Sequence, residues 1–283
     1  MRSLLIALAD ERRLAEALLS GAEAVVVDLA GSKPAERAAA RAIAARFLER
    51  AAEKWKPVFR EKAREIRESG ASGESTESSD APEGTRRRGA GPRLIVRVNP
   101  LDSGETDADL DAAMAHAPDA ILLPSSLGAA SVHELSAKLA LREADFALAD
   151  GATRIIAVVG TAQALFGMGS YRGSSARLAG IGWSAESLRA DIGAETDRDP
   201  SGAYASPWRL ARDLTLLAAA SAGVAAIDTA FASVRDTDGL RAEALAARRD
   251  GFAGKVAIDP VQAGVINDVF TFRSTPPRER SPP

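Results

Sequence analysis

The chain has no cysteine and only two histidines among its 283 residues. Without cysteine there can be no disulfide, no thiolate metal site and no cysteine nucleophile. His116 and His133 alone leave very little from which to build a Ser-His-Asp triad or a histidine-rich zinc site. The absence of cysteine is compatible with a reducing compartment, so we expect a cytoplasmic protein.

An excess of charge of one sign is lacking as well, since 36 Lys and Arg face 39 Asp and Glu for a formal net charge of -3. No global basic field therefore attracts nucleic acid or an anionic membrane. The apolar segment near the N-terminus ends at Asp10 and Glu11. It is too short for a signal sequence or a membrane span. We expect neither nucleic acid nor a membrane as a partner.

Residues 68–91 lack apolar side chains almost entirely and are rich in Gly, Ser, Glu, Thr and Pro. Such a segment buries too little apolar surface to offset the entropy of ordering it. We therefore predict a disordered insertion at 68–91 and a second disordered segment in the proline-rich tail, 273–283. The run Arg86-Arg87-Arg88 is either a docking site or, as is commoner for short charge runs, simply solvated.

What the chain does have is a regular alternation of short apolar segments with helical patterns. The eight apolar segments are residues 4–8, 24–29, 94–98, 119–124, 154–159, 177–182, 224–228 and 255–259. This alternation predicts a (β/α)8 TIM barrel that forms a single domain over residues 1–272, with its active site at the C-terminal ends of the strands. A doubly wound open sheet is the alternative, but no dinucleotide fingerprint or phosphate loop follows any predicted strand.

Two local signals refine this pattern. Ser206-Pro207 predicts a helix start in which Ser206 is the N-cap and proline occupies the first turn. Arg97 interrupts the apolar third strand near its C-terminal end. Because burying a guanidinium without a partner is costly, we expect Arg97 to bind a carboxylate or a phosphate. An internal salt bridge is an equally acceptable explanation.

A set of longer stretches, spread over nearly the whole chain outside the insertion, carries a family pattern. The stretches are Arg2-Ser3-Leu4-Leu5 and residues 21–29, 96–101, 118–124, 177–180, 226–228, 251–255, 258–262 and 265–267. In their order and spacing they resemble the citrate lyase beta-subunit branch of the HpcH/HpaI aldolase family. The resemblance implies a barrel enzyme that forms or cleaves a carbon-carbon bond in an acyl-CoA thioester, such as citryl-CoA or malyl-CoA.

The resemblance also implies particular ligands and residue roles. It implies magnesium as the cofactor, a small dicarboxylate or an acyl-CoA as the substrate, and a homo-oligomer. By position, Arg97 matches the family arginine that binds the substrate carboxylate, and Arg2 matches a second family position in the substrate site.

The sequence departs from the family where magnesium is expected to bind. The family ligands are a glutamate in an Ile-Glu-Thr-Ala type motif after the fifth strand and an aspartate in a Gly-Ala-Glu-Asp-Leu motif after the sixth. Gly160 and Ser187 stand at these two positions here. Because magnesium prefers carboxylate and water oxygens, we expect it to bind poorly.

Two further departures concern acids and a histidine of the family. Ala30-Gly31 replaces an acidic pair, and Asp259 replaces a histidine. Acids near strand ends that could form a displaced cation site are Asp28, Glu186, Asp228 and Asp259. The alternative is that these acids pair with Arg2, Arg97, Lys255 or helix N-termini.

Two functions therefore stay open at the level of sequence. The first is a carbon-carbon lyase of the CoA ester lyase type that binds a carboxylate or acyl-CoA ligand through Arg97. The second is a catalytically inactive or altered paralogue, a pseudoenzyme, that binds a metabolite or a partner protein. No catalytic residue can be assigned. A phosphoryl-transfer enzyme is disfavoured because the chain has no phosphate loop.

Overall fold

The computed structural model describes residues 1–55 and 91–271, and within them eight parallel strands close into a barrel. The strands are β1 (Ser3–Leu8), β2 (Ala24–Asp28), β3 (Arg93–Arg97), β4 (Ala120–Leu123), β5 (Arg154–Val159), β6 (Leu178–Trp183), β7 (Ala225–Asp228) and β8 (Gly254–Ala257). The first strand pairs with the last, with Leu4 opposite Val256. This pairing confirms the predicted TIM barrel and is incompatible with an open sheet.

Helices follow the strands around the outside. They are α1 (Glu11–Leu19), α2 (Arg37–Trp55), α3 (Thr106–Met114), α4 (Ala129–Asp145), α5 (Ala162–Gly167), α6 (Ala185–Ile192), α7 (Ser206–Ala222), α8 (Thr237–Asp250) and α9 (Pro260–Thr271). None of these helices is long and apolar enough to cross a membrane. Apart from Gly91, the predicted insertion at 68–91 lies outside the described residues, as does the tail at 273–283.

Side-chain caps mark several helix starts at the C-terminal ends of the strands. Asp10 accepts the N–H of Arg13 at the start of α1, and Ser184 accepts the N–H of Ser187 at the start of α6. The prediction for α7 is wrong: Ala205 is the N-cap, and no side-chain cap forms. Ser206 is already the first helical residue, so its hydroxyl lies one position too late to accept the N–H groups of the first turn.

Side chains fill the barrel interior in layers of four. Inward positions alternate along each strand, and the strand register sets which of them lie at the same height. From the N-terminal end upward, the three layers inside the sheet are Ala24, Ala120, Gly180 and Gly254; then Leu4, Ile95, Ile156 and Ile227; then Val26, Leu122, Gly182 and Val256. The interior is therefore a packed apolar core.

A fourth layer caps this core at the C-terminal ends of the strands. It consists of Ile6, Arg97 and Val158 in β1, β3 and β5, together with Thr229, which directly follows β7. The two aliphatic members are partly exposed, whereas the residues beneath them, Leu4 and Ile156, are buried. Exposure thus rises toward this end of the barrel, and we call the fourth layer the mouth layer.

Candidate functional site

Arg97 points into the mouth of the barrel and forms an ion pair with its neighbour on β2. Its Nη1 donates to Asp28 Oδ2 at 3.1 Å, and Arg97 and Asp28 are directly opposite in the strand register. The Arg97 side chain is 30% exposed, whereas that of Asp28 is 6% exposed. The backbone N–H of Gly31 donates to the other oxygen of Asp28. The carboxylate is thus held by the protein, and the guanidinium still faces solvent.

The structure does not bring Arg2 to this site. Arg2 precedes β1 and therefore lies at the N-terminal end of the barrel, opposite Arg97. Its Nε donates to Glu23 at 2.6 Å, and its Nη1 donates to Thr271 at the end of α9. Burial alone would raise the pKa of Glu23, but the hydrogen bonds and charge of Arg2 outweigh it and lower that pKa. Arg2 is therefore part of an ion pair at the closed end, and one small ligand cannot contact both arginines.

The two positions expected to hold magnesium do lie together, at the ends of β5 and β6. A β carbon built on Gly160 would lie 2.6 Å from the β carbon of Ser187 and 3.5 Å from that of Ser184. The hydroxyls of the two serines are 2.8 Å apart. These positions offer hydroxyl oxygens and no carboxylate, and α6 occupies the space a side chain at position 160 would need. The residues present do not fit a magnesium ion.

Gly31, which replaces a family acid, is enclosed in a similar way. A β carbon at this position would lie 2.5 Å from a methyl group of Leu8 and 2.7 Å from Oδ2 of Asp28. A carboxylate side chain could enter there only if these neighbours moved. At Gly31, as at Gly160, neighbouring side chains occupy the space that an acidic side chain would need.

The four acids proposed for a displaced cation site do not converge. Asp28 lies in the mouth against Arg97, whereas Glu186 is exposed in the first turn of α6. Asp259 accepts the N–H of Val261 in the first turn of α9. Within residues 1–55 and 91–271, no group of three or more His, Asp or Glu side chains could hold a metal ion. These acids therefore pair with a cation or a helix N-terminus, or remain exposed on the surface.

Asp228 is not a rim acid, and this expectation needs correction. It follows inward-facing Ile227 in β7, so its side chain points outward between the sheet and the helices, where it is 0% exposed. Asp228 accepts hydrogen bonds from Lys255 Nζ and from Trp183 Nε1, both at 2.9 Å. Lys255 also donates to Glu243 at 2.7 Å. This buried network ties β6, β7 and β8 to α8.

The network shifts the pKa of a neighbouring phenol. Tyr204 donates to Glu243 at 3.2 Å and packs edge-on against Trp183. Burial first, and then the negative charges of Glu243 and Asp228, raise the pKa of Tyr204 far above its ordinary value. Tyr204 is therefore a neutral hydrogen-bond donor at any physiological pH, and its buried contacts with Glu243 and Trp183 give it a structural role.

A sequence profile of the HpcH/HpaI aldolase/citrate lyase family matches residues 85–260, more than half of the chain. The chain belongs to this family. Among its curated relatives, the citrate lyase subunit beta of Leuconostoc mesenteroides subsp. cremoris is 33% identical to this chain over 177 residues. This alignment covers 62% of the chain and 57% of the relative. A (3S)-malyl-CoA thioesterase from Cereibacter sphaeroides is 32% identical over 177 residues, covering 62% and 56% of the two chains. The chain thus spans less than two thirds of the length of these relatives.

Solved structures of the same family share the barrel. The citrate lyase beta subunit of Mycobacterium tuberculosis complexed with oxaloacetate and magnesium has a TM-score of 0.68 at 27% identity, over 95% of this chain and 96% of that one. Protein CitE from M. tuberculosis in complex with magnesium, acetoacetate and coenzyme A has a TM-score of 0.70 at 27% identity, over 95% and 80% of the two chains. Magnesium is thus a ligand of these family members.

Sequence reasoning missed the apolar neighbours of Arg97. Ile6 and Val158 belong to the mouth layer, and each lies two strands away from β3. Both stand two residues after a buried inward position, so strand alternation marks their direction in the sequence. Their height relative to Arg97 depends on the register of the closed barrel, which no local pattern reveals.

Proposed function

We propose that this HpcH/HpaI family member binds a small carboxylate or acyl-CoA ligand through Arg97 at the mouth of the barrel, without the magnesium of its relatives. The observation that carries the proposal is the geometry of Arg97. Asp28 engages only Nη1, and no described residue accepts a hydrogen bond from Nε or Nη2. These two nitrogens form the edge with which a guanidinium binds a carboxylate in a bidentate manner.

The relatives support the ligand class. Solved family members bind oxaloacetate, acetoacetate and coenzyme A, of which the first two carry a carboxylate. Arg97 lies at the C-terminal ends of the strands, where TIM barrels bind their ligands. The permanent positive charge of Arg97 also attracts a carboxylate ligand toward the aliphatic side chains of the mouth layer.

The residues argue for an altered paralogue more than for a magnesium-dependent lyase. Cleavage of a carbon-carbon bond next to a carbonyl develops negative charge on oxygen, which a divalent ion stabilises when one is bound. In this chain Gly160 and Ser187 provide no carboxylate to hold such an ion. The β carbon of Ser187 also lies so close to Gly160 that a carboxylate side chain at position 160 would have no room. We therefore propose ligand binding as the primary function, with lyase turnover absent or slow.

Calorimetric titration with acetoacetate, with and without magnesium chloride, tests the binding proposal. The parent protein should bind, Arg97→Ala should abolish the binding heat, and Arg97→Lys should restore only part of it because an ammonium cannot form the bidentate contact. Arg93→Ala is the matched control, since Arg93 is exposed at the opposite end of the same strand. If Arg97→Ala binds as well as the parent does, the Arg97–Asp28 contact is only an internal ion pair and the proposal is wrong.

Magnesium itself provides the second test. The melting temperature of the parent should not change when millimolar magnesium chloride is added, because a cation stabilises the folded state only if it binds there. Citryl-CoA and malyl-CoA should show little or no cleavage. Tight magnesium binding together with cleavage of either ester would establish a lyase and would require other residues to hold the metal.

A further inference from the structure

Among the described residues of the mouth layer, Arg97 is the one charged side chain, and it shares the layer with the aliphatic Ile6 and Val158. We infer that its ligand is a monocarboxylate with a short apolar chain, and that a second carboxylate is selected against. This inference rests on the proposed function, because it assumes that Arg97 binds the first carboxylate. It concerns the remainder of the ligand.

The first observation is the composition of the mouth layer. Arg97 shares this layer with Ile6, Val158 and Thr229, and its aliphatic neighbours are the partly exposed inward residues of β1 and β5. The Thr229 side chain is buried, and its hydroxyl oxygen faces Ala185 in the first turn of α6, whose N–H it accepts at 3.2 Å. A ligand whose carboxylate contacts Arg97 therefore places its next carbons against isoleucine and valine. Covering their exposed methyl groups stabilises an apolar chain in that position.

The second observation concerns the rim directly above. Asp28 ends β2 in this rim, and continuing the inward alternation one residue past the ends of β4, β6 and β8 gives Pro124, Ser184 and Ile258 as its counterparts. The charged member, Asp28, is negative and already neutralises Arg97 in part. A second carboxylate of the ligand would meet aliphatic groups, one serine hydroxyl and a like charge. Removing it from water without a cation costs free energy, and Asp28 adds repulsion.

A polar cavity of about 550 Å³ beside Ile6 and Ile258 does not supply the missing cation. Its charged lining consists of Asp10, Glu16 and Asp259 together with Arg12 and Arg13. Arg12 is already paired with Glu16 at 2.8 Å, and Arg13 shares the lining with two further acids, Asp10 and Asp259, so the net charge of the lining is negative. In relatives that bind magnesium, a divalent ion brings positive charge to the site, whereas Gly160 and Ser187 do not provide for one here.

Butyrate and succinate are a matched pair of probes, because they have the same chain length and differ in a terminal methyl group against a carboxylate. In calorimetric titrations butyrate should bind at least about tenfold more tightly than succinate, and magnesium chloride should change neither affinity. Arg97→Ala should abolish binding of butyrate. Arg93→Ala should leave it unchanged.

A charge introduced at the rim tests the reason for the preference. Ile258 is 45% exposed, so Ile258→Lys should fold normally and should raise the affinity for succinate toward that for butyrate. Ile258→Gln is the uncharged control and should not raise it.

The outcomes separate ligand binding by Arg97 from selection against a second carboxylate. If succinate binds as tightly as butyrate and both require Arg97, the proposed function stands and the preference for a monocarboxylate is overturned. That preference is also overturned if Ile258→Gln raises succinate affinity as much as Ile258→Lys does. If neither acid shows binding that depends on Arg97, the proposed function fails and the inference fails with it.

Discussion

Filling the space at Gly160 tests whether the family magnesium site has been closed by packing. The β carbon of Gly160→Ala would lie 2.6 Å from that of Ser187, well inside the separation of about 3.5–4.0 Å at which carbon atoms attract. Residue 160 directly follows β5 and residue 187 lies in the first turn of α6, so relief requires a shift of backbone. Overpacking of this kind costs about 1–3 kcal/mol.

The free energy of unfolding can be measured by urea denaturation and the melting temperature by calorimetry. A loss of this size should lower the melting temperature by about 2–4 °C per kcal/mol for a domain of this class. Gly264→Ala in α9 is the matched control, because a β carbon there has no heavy atom within 4 Å. It should leave stability unchanged or raise it by up to about 1 kcal/mol through helix propensity.

A double-mutant cycle identifies the contact responsible. Ser187→Gly alone should destabilise slightly, since glycine is a poor helix former and the hydroxyl contact with Ser184 is lost. The double variant Gly160→Ala/Ser187→Gly should be more stable than the sum of the single changes predicts, with a favourable coupling of about 0.5–3 kcal/mol. Additive losses, or a fully stable Gly160→Ala, would refute the packing argument.

The same contact predicts how an attempt to restore the family ligands will behave. Gly160→Glu/Ser187→Asp keeps the β carbon at 187, so the variant should melt below the parent and should gain little stability from magnesium. A large rise in its melting temperature on addition of magnesium would show that α6 can move aside.

Three other predictions concern stability. Lys255→Met should cost about 1–3 kcal/mol, because it removes two buried charge-assisted hydrogen bonds, although Asp228 keeps Arg212 at 3.5 Å and Glu243 keeps Arg198 at 2.7 Å. Lys138→Met, at a more exposed ion pair, should cost less than about 1 kcal/mol, and equal losses in urea denaturation would contradict this. Burial would raise the pKa of Glu143, but Arg177 and two backbone N–H groups lower it overall. Its contribution is therefore present above about pH 4.3 and lost as pH falls through the folded-state pKa, so Glu143→Gln should flatten the decline of melting temperature on acidification. Excision of residues 68–91 should leave the melting temperature unchanged, and a fall of many degrees would show that the segment packs against the barrel.

Local sequence patterns determined the architecture and the location of the mouth. Each strand is a short apolar run bounded by turn residues, and parallel barrel strands are buried on both faces, so their number and order can be read from hydrophobicity alone. Arg97 could be recognised because a guanidinium in such a run must have a special environment, and the end of the strand indicated which end of the barrel it occupies.

Because the strands are buried on both faces, the sequence did not show whether a given side chain points into the barrel or toward the helices. Asp28 and Asp228 both end apolar strands, yet one faces the mouth and the other faces the helices, where Lys255 neutralises it. In a strand that is apolar on both faces, no alternation reveals the direction of the final residue. Only the tertiary structure distinguished the acid that faces the mouth from the acid that lies between the sheet and the helices.

Contacts between distant parts of the chain also required the folded structure. The closed register places Ile6 and Val158 in one layer with Arg97, and the approach of α6 to β5 brings Ser187 against Gly160. The sequence showed that the family acids were absent at positions 160 and 187. Barrel closure fixes the heights of residues on strands that are not neighbours. It therefore determines that the space at positions 160 and 187 is filled, and that Arg97 shares its layer with aliphatic side chains.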